Sequence, residues 1–450
     1  MDICDRWEGS VGLGETVTLE QLETDPYPVY ARLRDDEPVS WVPAAQLWLV
    51  TRYEDVRRVD LAPDVFTGAT TPSTLNRTMG TNMLGSEGPD QQRVRRITEA
   101  PFRPRDVEAR MHGMIPKLAH ELIDGIADDG EADLFTAFCD PMSVRSLRFM
   151  LGLEDVAWED ILAWNQAMML GLANFEGDPA KQAPADRASA ELGAAIERVL
   201  DRLEGCPDGS VLSWMLSHDA DGDRMSRTEI VANTKLMLSG GLQEPRDLIA
   251  LAVWALGAHP EQLEELSRDR SLVKKAVEET LRWCGPVGTS TRQTTRPAVL
   301  DGVELPEGAL IGAVLSSANR DPRRFTDPDR FDVHRNEGAH LAFAIGTHFC
   351  LGAWFGRHLT RVSLEILLDR LPNLRLDPAR PGACSGRPRC DPRSRGITTK
   401  AIRRCSRRSA PGTGASSGRS RTRRSGRPFA VRSSAGSMLS PTASSAGGCS

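Results

Sequence analysis

"LAFAIGTHFCLGAWFGR", residues 341–357, sets one cysteine in an unusual frame. Cys350 follows a Phe-x-x-Gly-x-His run, Phe343 to His348, and precedes Leu-Gly-Ala and a stretch that reads as a helix. A thiol at a helix mouth faces unpaired backbone N–H groups and the positive end of the helix dipole. Both favour the thiolate over the thiol, whose reference pKa is about 8.5. Gly346 and Gly352 allow the backbone to approach a flat ligand closely. On these residues alone three uses stay open: a redox thiol, a nucleophile or a metal ligand. The plain alternative is a buried structural cysteine, a common fate of free thiols.

The rest of the chain narrows the setting. Its 450 residues are 40% apolar and 26% charged, which suits a soluble globular protein with a sizeable core. No apolar run reaches the roughly 18 residues that a spanning helix needs. The start, "MDICDRWEGS", lacks the blocks of a secretory signal, and the nine cysteines show no CxxC pairs. A reducing cytoplasm is therefore expected. The net charge of −6 hides an asymmetry: residues 384–450 hold 14 Arg and one Lys against the single acid Asp391. The body is acidic and the tail strongly basic, so the two are read apart.

Helical periodicity dominates from about 89 to 283, and a last helix is predicted over 351–371. Short strands are predicted near 39–51, 290–300 and 310–314, with a long loop at 66–88 and proline-punctuated coil at 319–340. The fold class is mainly α with small β-sheets. The helix predicted at 227–257 contains "SGGLQEPRD", whose glycines and proline should bend or open it.

"AFAIGTHFCLGA" resembles the haem-ligand loop of the cytochrome P-450 monooxygenases, Phe-x-x-Gly-x-His/Arg-x-Cys-x-Gly. Phe343, Gly346, His348, Cys350 and Gly352 fill that pattern. One departure stands beside them: Ala344 replaces a usual glycine and should tighten the turn. "EETLRW" supplies the family's Glu-x-x-Arg through Glu279 and Arg282, and "PDRF" offers Arg330 as a third member of that cluster. "EGPDQQRVRRI" resembles the helix with a propionate-binding arginine, here Gln91 and Arg95. "CGPVGTSTRQT" places Arg292 where another propionate partner is expected. Propionates need cationic, bidentate-capable donors in a partly buried place. The resemblance spans about residues 20–387 and implies the P-450 fold, with a long distal helix over haem b and Cys350 as the axial ligand of the iron.

The distal helix departs from the family most. Its usual Gly-x-Asp/Glu-Thr reads "GGLQEP": Gly240 and Gly241 are kept, the acid is Gln243 and the alcohol is Glu244. Gln243 cannot titrate. Glu244 can, and aimed at the oxygen site it would deliver protons, with a pKa raised by an apolar pocket. Turned away, it would pair with Arg246.

The resemblance implies a monomeric monooxygenase acting on O2 and a small to medium apolar substrate, by hydroxylation or oxidative demethylation. Electrons are expected from NAD(P)H through a separate ferredoxin and reductase. Arg95, Arg96, Arg103, Arg105 and Arg357 would form a basic docking face near Cys350. Expected pocket walls are the loop Leu75–Leu84, the segment Trp164–Phe175, Leu236, Gly240 and Val287–Thr289, with Met79, Met83, Met168 and Met169 as adaptable lining or, for the last two, helix core. The haem domain is expected to occupy 1–387. Residues 388–450, rich in Arg, Ser, Gly and Pro, read as a disordered tail in place of the family's terminal hairpin. A shifted reading frame produces that texture, and this is preferred to a basic arm for nucleic acid or membrane. Haem binding with impaired turnover, or a peroxide-driven reaction, are the competing functions.

Overall fold

A computed structural model describes residues 12–377, so the expected boundary at 387 and the basic tail lie outside the described residues. Strands β1 (Val39–Val42) and β2 (Leu47–Val50) form the expected hairpin, with Trp41 opposite Trp48. They belong to a five-stranded sheet completed by β3 (Phe66–Thr67), β6 (Ser290–Thr294) and β9 (Leu310–Ala313), in the order β1-β2-β9-β6-β3. The two-stranded ribbons β4 (Asp219–Ala220) with β5 (Asp223–Arg224), and β7 (Ala298–Leu300) with β8 (Val303–Leu305), stand apart from it.

Helices make up most of the body. Those that frame the site are α1 (Tyr53–Leu61), α2 (Gly88–Glu99), α3 (Asp140–Leu151), α4 (Trp158–Leu172), α5 (Pro179–Gly205), α6 (Arg227–Ala258), α7 (Val273–Cys284) and α8 (Ala353–Arg370). Within the helical stretch predicted from about 89 to 283, Pro104–Met111 and Met114–Asp124 are separate helices, parted at His112 and Gly113. The predicted loop at 66–88 contains a short helix, Thr74–Met79, capped by Ser73. None of the helices among the described residues is long and apolar enough to cross a membrane.

α6 runs through the core and packs against α3, α5, α7 and α8. It is apolar on most sides, as a helix surrounded by others must be. The expected opening at "GGLQEP" is absent: the chain stays helical from Arg227 to Ala258. Pro245 has no N–H to offer the carbonyl of Gly241 four residues earlier. Ser143 of α3 compensates, its hydroxyl donating to Leu242 O at 2.7 Å and reaching Gly241 O at 3.3 Å. The two helices approach closely here, since a Cβ on Gly241 would lie 2.7 Å from Leu147 Cδ2.

A buried charge cluster fixes the coil that leads to the cysteine loop. Glu279 and Arg282 of α7 bond side by side at 2.7 and 2.8 Å, and their side chains are only 4% and 3% exposed. Arg282 also donates to the carbonyls of Asn319, Pro328 and Arg330. The third member is Arg335, not Arg330. Arg335 Nε reaches Glu279 Oε1 at 3.2 Å, whereas Arg330 is exposed and offers only its carbonyl. The coil turns between the two, and Arg335 is the one it carries beneath α7.

Candidate functional site

The loop 343–352 closes on itself through Cys350 N–H to Phe343 O, at 3.0 Å. Gly346 has φ +72, and a Cβ there would lie 2.7 Å from Asp60 O, so α1 presses against the turn. Ala344 also lies in the left-handed region, at φ +52. That conformation costs a non-glycine residue roughly 1–2 kcal/mol. Glycine at 344 removes the strain but gains freedom in the unfolded chain. Ala344→Gly is therefore expected to stabilise by up to ~1 kcal/mol, read from the urea midpoint.

Two of the residues expected on the propionate side, Gln91 and Arg95, bind the loop's backbone. On α2, Gln91 Nε2 donates to Thr347 O at 3.2 Å and Arg95 Nη1 to Phe349 O at 2.7 Å. The i,i+4 spacing puts both on one helix face, toward the loop. His348 Nε2 lies 2.8 Å from Glu87 Oε1. Arg292 of β6 donates to Asp60 Oδ1 at 2.9 Å, in a pair whose side chains are 5% and 0% exposed. Burial pushes the Asp60 carboxyl up despite Arg292 beside it. Asp60 and Glu87 escaped the sequence reading; only their positions at the ends of apolar-patterned segments mark them.

The helix mouth does not lower the Cys350 thiol as expected. Burial pushes it up to about 11, outweighing the hydrogen bond from Gly352 N–H and the charges of Arg95 and Arg357. Glu244 adds to the rise, so its carboxylate stands within electrostatic reach of the sulfur. An iron ligand at this position must displace the thiol proton.

Across from the loop, Leu236, Gly240, Gln243 and Glu244 share one face of α6 by their spacing. Gly240 is exposed and the other three are half-buried, while Leu238, Ser239, Leu242 and Pro245 around them are buried. A helix threaded through the core thus turns one accessible face inward. A Cβ on Gly240 would meet only Glu244 Oε2, at 3.9 Å, so that carboxylate folds back over the open face. Arg246, the alternative partner for Glu244, is engaged by Asp140 at 3.0 Å and Asp247 at 3.1 Å. Val287 and Thr289 also keep accessible surface. The methionines do not: Met79, Met83, Met168 and Met169 are buried in protein contacts, and Met168 belongs to the main core.

These residues fit a haem. Cys350 keeps some accessible area although protein surrounds it, a side chain at Gly352 would meet no atom within 4 Å, and the buried Gln91 Oε1 has no partner. Among the described residues no group of three or more His, Cys, Asp or Glu could hold a bare metal ion.

Comparison with known proteins agrees. The Cytochrome P450 family profile matches residues 207–373. Cytochrome P450 monooxygenase PikC of Streptomyces venezuelae is 34% identical, over 85% of this chain and 92% of that protein. The chain belongs to the cytochrome P450 family. Cytochrome P450 107B1 of Saccharopolyspora erythraea is 33% identical over 78% of this chain and 89% of its own. The crystal structure of CalO2 superposes with a TM-score of 0.75 at 29% identity, covering 83% of this chain and 96% of that one. The mainly helical P450 fold and the oxidoreductase class, with haem as the family's cofactor, follow from that membership.

The expected basic docking face is partly neutralised in this P450. Arg95 and Arg103 lie 3.7 and 3.2 Å from Glu99, Arg96 lies 2.7 Å from Asp221, and Arg357 is bidentate on Glu278 at 2.7 and 3.0 Å. Glu99 from the same stretch and Asp221 and Glu278 from distant segments interleave with the arginines, which a reading of the arginines alone misses.

Proposed function

We propose that this chain binds haem b through Cys350 and inserts one atom of O2 into a C–H bond of a small to medium apolar molecule. Electrons come from NAD(P)H through a separate ferredoxin and reductase. The observation that carries the reading is the open face of α6 at Leu236, Gly240, Gln243 and Glu244, opposite Cys350.

Held by the thiolate, the haem supplies O2 activation and oxygen insertion. The chain's own residues do the rest. Gln91 and Arg95 hold the carbonyls at 347 and 349, which fixes where Cys350 presents its sulfur. Arg95, Arg292 and His348 are the groups that would receive the propionates. Gly240 leaves open space on the face of α6 that a bound haem would meet. Leu236, Val287 and Thr289 make an apolar wall that excludes water and positions the substrate. Glu244, lying over Gly240, delivers protons in place of the family's acid–alcohol pair.

Full-length, haem-loaded protein is screened with apolar compounds by the low-to-high-spin shift. Compounds that shift it are then incubated with NADH, ferredoxin and reductase. Oxygenated product that requires all three supports the reading. Product formed only with added peroxide would reassign the chain to a peroxide-driven enzyme. Spin shifts without product in either regime would leave haem binding alone.

A further inference from the structure

The rim of the proposed haem site is not simply cationic. Arg95 and Arg292 stand there, yet two carboxylates stand among them. Asp60 is fixed on Arg292 at 2.9 Å, and Glu87 lies 2.8 Å from His348. Two guanidiniums against two carboxylates leave no formal surplus of positive charge to offset the propionates.

Glu87 is the more unusual of the pair. It stands immediately before α2 and makes no cap bond to that helix. Its Oε1 instead accepts from Gly68 N–H at 2.7 Å and Thr67 Oγ1 at 3.2 Å, beside His348 Nε2. Burial pushes its carboxyl up, but the bonds from His348, Gly68 and Thr67 prevail and hold it below the usual range. It is therefore ionised at neutral pH. The glycine at 68 belongs to the same arrangement: a Cβ there would lie 3.2 Å from His348 Nε2 and 3.5 Å from Glu87 Oε1. Three separate segments, 67–68, 87 and 348, thus hold one negative charge beside the loop of the iron ligand.

We propose that Glu87 is a charge-setting residue at the edge of the haem site: its carboxylate, fixed on His348, disfavours electron uptake by the iron and keeps the reduction potential low. The proposal rests on the haem reading above. It goes beyond that reading because Glu87 is assigned to the potential rather than to holding the ring. A fixed anion near a partly desolvated redox centre acts through Coulomb's law, and its removal needs no rearrangement to be felt. Asp60 is the poorer handle, since its loss would strand Arg292 in the core.

The test is a spectroelectrochemical titration of haem-loaded wild type, Glu87→Gln, Glu87→Asp and Thr67→Val. Glutamine keeps an acceptor for Gly68 and Thr67 but removes the charge. It should keep the thiolate spectrum and raise the reduced-to-oxidised ratio at fixed applied potential by about threefold or more. Aspartate keeps the charge and should keep the wild-type potential. Valine at 67 removes one hydrogen bond and no charge, and should leave the potential in place. Equal potentials in wild type and Glu87→Gln would overturn the proposal. So would a Thr67→Val shift as large as that of Glu87→Gln, which would mean that loop order, not charge, sets the potential. If Glu87→Gln fails to take up haem, Glu87→Ser, which leaves room for water, repeats the comparison. A wild-type chain that takes up no haem would sink the haem reading and this proposal with it.

Discussion

Glu279→Ala is expected to destabilise the protein by about 3–5 kcal/mol, a large share of the 5–15 kcal/mol that holds a typical protein folded. The carboxylate accepts two bonds from Arg282, one from Arg335 and one from the backbone N–H of Asp332 at 2.9 Å. Removing it leaves the buried Arg282 guanidinium with no carboxylate beside it, while the half-buried Arg335 keeps only Glu337. The damage spreads along the coil, because Arg282 and Arg335 also hold the carbonyls of Asn319, Thr326, Asp327, Pro328 and Arg330. That coil leads into the cysteine loop, so haem content should fall with stability. Urea unfolding and the haem-to-protein ratio of purified variant and wild type check this. A variant within 1 kcal/mol of wild type, with full haem content, would mean the cluster is incidental.

Glu244→Gln is expected to lower product formed per NADH consumed, with the missing electrons recovered as peroxide, and to slow product formation by at least ~10-fold. A positioned proton donor contributes about 10²–10⁴ in rate, and water in the pocket can replace part of it. Glutamine keeps the size and the hydrogen-bonding reach of the side chain but cannot carry the proton. The reasoning is positional. Glu244 lies over the exposed Gly240 on α6, and Gln243 one residue earlier cannot titrate. Arg246 is occupied by Asp140 and Asp247. Unchanged coupling and unchanged turnover in Glu244→Gln, and again in Glu244→Ala, would remove Glu244 from proton delivery.

Local patterns carried much of this site into view. Cys350 at a helix mouth, the i,i+3 pair Glu279 and Arg282, and the i,i+4 pair Gln91 and Arg95 are short-range features, and the fold keeps each where its spacing places it. What could not be read depends on which distant segments meet. Arg335 replaces Arg330 because the coil between them turns, and no local pattern encodes that turn. The continuity of α6 past Pro245 is supported by a serine about a hundred residues away, whose hydroxyl reaches the Gly241 carbonyl that Pro245 leaves without a donor. Asp60 and Glu87 drew no reading from the sequence, because their partners, Arg292 and His348, lie more than two hundred residues away. The methionines suggested an adaptable pocket by composition, and the fold buries all four of them. The thiol shows a contest of magnitudes: a helix start favours the thiolate, but desolvation by burial outweighs it.

The central claim is that Cys350 binds haem iron as a thiolate. The most direct measurement is the absorption spectrum of the dithionite-reduced carbon monoxide adduct, taken for wild type and Cys350→Ala at equal haem content. The account predicts the strongly red-shifted Soret band of a thiolate-ligated haem in wild type and its loss in the variant. The same red-shifted band in Cys350→Ala, or its absence from correctly folded, haem-loaded wild type, would contradict it.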